Sequence, residues 1–126
     1  MEQTDWAYAC RAHLVSAIAG QSSHVIDPLG RIVASTTNYF DRVTQAVNLD
    51  ARLAHLDYHW EKLEALKAKY GREVSIVDPG FLGAVLIRSE TPARTAEQLL
   101  AEFEIEPLDA YFDRARATRE RYLTGR

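Results

Sequence analysis

Apolar and polar positions recur with two different periods along this chain, and the switches between them mark out its elements. Thr4 can cap a short helix whose positions Trp6, Ala9, Cys10 and His13 recur at helical spacing. Leu14 to Ala19 then reads as a strand ended by Gly20. From Ser23 to Ser35 two β-branched runs flank Asp27-Pro28-Leu29-Gly30, which predicts a hairpin, because proline presets φ early in a turn and glycine tolerates a left-handed exit. After the loop Thr36 to Asp41, the run Arg42 to Leu49 puts Val43, Gln45, Val47 and Leu49 on one face and predicts a fourth strand.

The second half changes period. Asp57 reads as the N-cap of a helix from Tyr58 to Tyr70, with Trp60, Leu63, Leu66 and Tyr70 as its apolar stripe and Gly71 as its left-handed stop. Val74 to Val77 and Leu82 to Ile87 are predicted strands around the breaker Asp78-Pro79-Gly80. The Ile-Val-Asp-Pro here echoes the earlier Val-Ile-Asp-Pro, but only the turn chemistry recurs, so the chain contains no repeat. Thr95 with Gln98 forms a capping-box signature, opening a helix that turns Leu99, Leu100 and Phe103 inward and stops at Pro107. A last helix, roughly Leu108 to Tyr122, carries Leu108, Tyr111, Phe112 and Ala115 on one stripe. Its arginines 114, 116, 119 and 121 lie largely outside that stripe.

Composition narrows the classes. At 126 residues with 47% hydrophobic content, the chain is long enough to bury one core and too short for two ordinary domains. A net charge of -3, spread over both signs, provides no field that would gather nucleic acid. Leu82 to Ile87, the longest apolar run, falls far short of the roughly 20 residues that span a bilayer, so no membrane partner is expected. A single cysteine and an N-terminus lacking signal-peptide character make the cytoplasm the expected compartment.

Candidate chemistry is sparse. Cys10 is the one thiol nucleophile, yet its spacing puts it in mid-helix on a buried face, where a small core residue is expected. His55 and His59 stand four apart with Asp57 and Glu61 between them, but a helix beginning at Asp57 leaves His55 in the loop. Solvent-facing or capping roles are therefore expected for this pair, and structural roles for His13 and His24. The arginines of the last helix alternate with Asp109, Asp113 and Glu120, as on a solvated, salt-bridged surface. Gly80-Phe81-Leu82-Gly83 has neither the Lys-Ser/Thr of a P-loop nor a dinucleotide spacing.

The wording Ser23-His24-Val25-Ile26-Asp27-Pro28-Leu29-Gly30-Arg31-Ile32-Val33-Ala34 resembles the late hairpin of the carbon-nitrogen hydrolase (nitrilase and amidase) family. Softer likenesses extend from Trp6 to Ser89. Trp6 to His13, with Arg11-Ala12, looks like the helix after that family's nucleophile elbow, although the connection from His13 to Leu14 looks several residues short. Val43 to Leu53 looks like the strand leading into an Asp-x-x-Arg segment, from which Asp50-Ala51-Arg52 departs slightly.

The resemblance implies an α/β (α+β) fold: a partial α-β-β-α sandwich with a mostly antiparallel or mixed sheet covered by helices. Residues 1–90 would form the C-terminal part of the hydrolase domain, and 91–126 a helical C-terminal extension. Intact relatives break amide or nitrile C–N bonds with a Glu base, a stabilising Lys and a Cys nucleophile, all placed before this hairpin. None of the three can be placed here, so the expectation is a truncated, nitrilase-like chain with no catalytic, cofactor-binding or metal-binding residue of its own, inactive alone and with no cofactor. Loss of neighbouring strands would leave sheet edges to be covered by a homo-oligomer or by a missing N-terminal segment. The alternative is a noncatalytic α/β module for oligomerisation or partner regulation. A third possibility, an enzyme using Cys10, predicts amide hydrolysis that Cys10→Ala abolishes.

Overall fold

In the computed structural model, which describes residues 2–125, the chain gathers into two units, one ending at Leu49 and the other beginning at Asp50. Among the described residues there are four α-helices and two three-stranded antiparallel sheets, a mixed α+β architecture. The division at Leu49 separates units of contact, whereas the division after residue 90 marks the extent of a resemblance.

The first unit holds α1 (Gln3–Ala9), β1 (Leu14–Val15), β2 (His24–Ile26) and β3 (Ile32–Ser35), with strand order β1-β2-β3. The hairpin forms where the turn chemistry placed it. His24 pairs with Ser35 and Val25 with Ala34, and an irregularity then brings Ile26 opposite Ile32. The turn is closed by Gly30 N–H donating to the Asp27 carbonyl at 2.8 Å and Asp27 N–H to the Arg31 carbonyl at 2.9 Å.

Other expectations for this unit need correction. Glu2, not Thr4, occupies the N-cap of α1, and the helix stops at Ala9 because Arg11 takes φ 54° and turns the chain away. The buried residue of α1 is therefore Ala7. Trp6 is 49% exposed, Ala9 and Cys10 are exposed, and His13 lies outside the helix. Only Leu14–Val15 forms a strand, because beyond it side-chain oxygens replace ladder partners: His24 N–H donates to Ser16 Oγ at 2.9 Å and Ile18 N–H to Ser23 Oγ at 3.0 Å. The strand expected over 42–49 does not form. Residues 41–47 are all exposed, and among the described residues no strand lies beside them, so a regular alternation alone does not make a ladder.

In the second unit β4 (Ala51–His55), β6 (Ala84–Ser89) and β5 (Val74–Val77) form the sheet, in that order. All five residues of β4 pair with β6, from Ala51 opposite Arg88 to His55 opposite Ala84. β6 is the central strand and is buried from Ala84 to Ile87, which explains why it is displaced by two residues from its expected span. α2 (Trp60–Tyr70) buries Leu63 and Leu66 against a core that includes Ala54, Val74, Val85, Ile87, Leu99 and Leu100.

That helix begins later than expected. Asp57 does not cap it: its N–H donates to His55 Nδ1, Tyr58 takes φ 66° and Trp60 stays 61% exposed. Gly71 does end it, with φ 55°. α3 (Ala96–Glu102) starts with both capping-box bonds made, Gln98 N–H to Thr95 Oγ1 and Thr95 N–H to Gln98 Oε1. It ends five residues before Pro107, which instead stands at the N-cap of α4 (Leu108–Thr124), where its missing N–H costs nothing. Leu108 is buried and Tyr111 and Phe112 are half-buried, but Ala115 is exposed, so the stripe of α4 is covered only over its first turns. No helix among the described residues is long and apolar enough to cross a membrane.

Candidate functional site

Besides the more exposed cluster of Lys69, Tyr70 and Arg94 around Glu102 in the second, each of the two units has a concentration of buried polar side chains. In the first it is the Asp27 turn. Asp27 is 2% exposed, so its carboxylate has lost its water and must be satisfied from the chain. Oδ1 accepts the N–H groups of Leu29 and Arg31, both at 3.0 Å, and Oδ2 accepts Arg31 Nε at 2.8 Å and Nη2 at 2.6 Å. Four donors on one carboxylate, within five residues of chain, make this a rigid, charge-assisted clasp. With both oxygens occupied, it has no free lone pair aimed at a substrate.

In the second unit the cluster is built around His55 and His59. His55 closes β4, and its ring lies 3.4 Å from that of Tyr111 at an interplanar angle of 10°. Its Nδ1 accepts Asp57 N–H at 3.1 Å. His59 stands at the N-cap position of α2 without capping it, since its Nε2 accepts Glu106 N–H at 3.2 Å and ties α2 to the connection entering α4. Its Nδ1 is buried without a hydrogen-bond partner. Beside it Glu106 binds Arg114 through two bonds of 3.0 Å, Arg114 Nε to Oε1 and Nη2 to Oε2.

Electrostatics follow from this packing. Burial pushes the His59 pKa down, the Lys62 charge pushes the same way, and Glu106 opposes them. The Arg114 hydrogen bonds hold the Glu106 carboxyl below its usual range. Each imidazole has one nitrogen accepting a backbone N–H, Asp57 N–H on His55 Nδ1 and Glu106 N–H on His59 Nε2, which ties the ring to its neighbouring chain. The arrangement joins β4, α2 and α4; it offers a proton-sensitive junction rather than a nucleophile with a base.

The two histidines are buried, which corrects the expectation of solvent-facing roles: the strand runs through His55, and α4 lies over it. Cys10 is exposed at the end of α1 rather than buried in mid-helix. Among the described residues no group of three or more His, Cys, Asp and Glu side chains is placed to hold a metal ion. His24 Nδ1, in the first unit, is likewise buried without a partner.

The α4 arginines divide between Arg114 on Glu106 and Arg116 on Asp113, so the solvated, salt-bridged face anticipated from sequence is realised at these two. The Glu106–Arg114 and His59–Glu106 links were not read from the sequence. The Tyr111 stripe was the one signal pointing toward β4. Comparison of the chain with protein-family models, with curated proteins and with solved structures finds no match in any of the three.

Proposed function

We propose that this chain is the C-terminal portion of a carbon-nitrogen hydrolase-like protein, carrying the scaffold that follows the nucleophile and silent toward amides and nitriles by itself. The observation that supports this reading is the hairpin: the residues that carry the likeness, Asp27 to Arg31, are those whose side chain and backbone close the turn. No Glu, Lys and Cys set can be assigned to the family's roles, and Cys10 stands exposed at a helix end with no described hydrogen-bonding base.

Ammonia release from simple aliphatic amides and nitriles by the purified chain tests the reading. None is expected. Turnover that disappears in Cys10→Ala would overturn it and establish the thiol as a nucleophile.

The second reading is a noncatalytic module whose role is association. It is favoured by the run of exposed apolar residues in the first unit, Tyr39, Phe40, Val43, Val47 and Leu49, a density that monomer surfaces rarely leave uncovered. Mixing the chain with a segment carrying the family's Glu, Lys and Cys elements separates the two. Restored amide hydrolysis in a co-eluting complex supports the first, and self-association alone supports the second.

A further inference from the structure

The second unit treats its two sheet edges differently. The β4 edge is covered by its own chain at its last two residues, through His55 N–H to the Glu106 carbonyl at 3.2 Å and a bridge between Ala54 and Pro107. The β5 edge has no strand beside it among the described residues. Next to it Leu56, Trp60, Leu63, Ile76 and Val85 line a groove of about 340 Å³, flanked by the carboxylates of Glu64 and Asp78.

Charge on the neighbouring helix is just as uneven. The lysines of α2 are engaged with main-chain or carboxylate oxygens: Lys62 Nζ donates to the Glu104 carbonyl, Lys67 Nζ to the Gly71 carbonyl and to that of Val74 at the start of β5, and Lys69 pairs with Glu102. Glu61 and Glu64 form no ion pair among the described residues. The groove is thus an apolar floor with two carboxylates at its margin, beside a strand edge that is taken at the Val74 carbonyl by Lys67 and has no strand along it from there to Val77 among the described residues.

We propose that this face binds an extended basic segment of a partner protein, which adds a strand along β5, places one bulky aliphatic side chain in the groove and faces Glu64 and Asp78 with arginine or lysine. A strand satisfies in one step the three features present together: the open edge by main-chain hydrogen bonds, the floor by a side chain, and the margin by opposite charge. A small ligand in the groove would answer only the last two. The proposal does not rest on the hydrolase reading, since it uses none of the residues of the Asp27 hairpin and no catalytic role.

Trp60 supplies the readout. In the full chain with Trp6→Phe, Trp60 is the sole indole, and its emission is followed while the blocked pentapeptides Arg-Ile-Leu-Ile-Arg and Glu-Ile-Leu-Ile-Glu are added. Saturable binding of the basic peptide is expected, about tenfold or more tighter than that of the acidic one and weakened as salt rises. Glu64→Arg should weaken the basic peptide by about tenfold or more, whereas Glu120→Arg, the same charge reversal on exposed α4, should not. Far-UV spectra confirm that each variant is folded. Absence of binding, equal binding of the two peptides, or an unchanged affinity in Glu64→Arg overturns the proposal. So does phenethylamine displacing the peptide at comparable concentration, which would make the groove a small-amine site.

Discussion

Gly30 and Gly20 both take positive φ, 82° and 75°, yet they differ in what surrounds them. A Cβ on Gly30 would lie 2.8 Å from the Thr4 carbonyl oxygen, a backbone atom of α1, while one on Gly20 would meet nothing within 4 Å. Gly20→Ala should therefore cost only the left-handed backbone penalty, about 1–2 kcal/mol. Gly30→Ala should cost measurably more, because α1 or the turn must shift. Denaturant unfolding of the two variants checks this, and equal losses would mean that α1 is not held against the turn. Asp27 supplies a second test at this scale. Asp27→Ala leaves the buried N–H groups of Leu29 and Arg31 without their acceptor and should cost about 3–5 kcal/mol, whereas Asp27→Asn keeps an acceptor at Oδ1 and should cost less. The turn itself was legible in the sequence because Asp-Pro-x-Gly chemistry is local. The burial of Asp27 and its four donors was not, since they depend on how Arg31 folds back. Cys10 was misplaced for a related reason: helical spacing continues past Ala9 on paper, but Arg11 leaves the helix in three dimensions.

Elements whose signals lie within a turn of one another were readable, and those needing a distant partner were not. The α3 capping box joins residues three apart, so Thr95→Ala should lower stability by about 1 kcal/mol, measurable as a lower thermal midpoint. The run 42–49 has good alternation but nothing to pair with, while β4, which was not anticipated, pairs along its whole length with β6. The joint of β4, α2 and α4 also rests on a distant contact, and it carries a pH dependence. His59 Nε2 accepts the Glu106 N–H and so cannot hold a proton while the contact lasts. Burial, followed by Lys62, His55 and Arg114, keeps its pKa below the ordinary 6.5, against the pull of Glu106. Because the folded pKa is the lower one, the unfolded chain binds more protons as pH falls below 6.5, and stability declines from there through the folded value. Glu106, whose own pKa is depressed by Arg114, stays ionised across this window. Thermal midpoints between about pH 8 and about pH 5.5 should fall in the wild type, and fall less in His59→Gln, which keeps an acceptor without titrating. The same slope in both would assign the dependence to another group.

At the scale of the whole molecule, length and composition predict one core, and the structure divides its buried residues unequally. Four buried hydrophobic residues, Ala7, Val25, Ile26 and Leu29, lie in the first unit; fourteen lie in the second, between Leu53 and Leu108. Residue counts could not foretell that division, because it depends on which strands find partners: β1 to β3 pair among themselves, and β4 to β6 do the same. Local stability follows buried apolar contact, so the two units should open at different free energies. The last stretch of the first unit is accessible, with residues 41–47 all exposed and outside any helix or strand. Under limited trypsin treatment, cleavage after Arg42 should come early, together with nicks along the exposed distal turns of α4. The fragment beginning at Val43 should keep β4 to β6, α2 and α3, and should melt cooperatively with helical far-UV signal. The fragment ending at Arg42, with four buried hydrophobic residues and sheet edges at β1 and β3, should lose its structure once released, or keep it only by associating. Mass spectrometry of the products with circular dichroism of the isolated fragments decides the matter. If both fragments unfold, the fourteen-residue core of the second unit depends on the first. If the smaller one stays folded as a monomer, the Asp27 clasp is enough to hold a sheet that has almost no core beneath it.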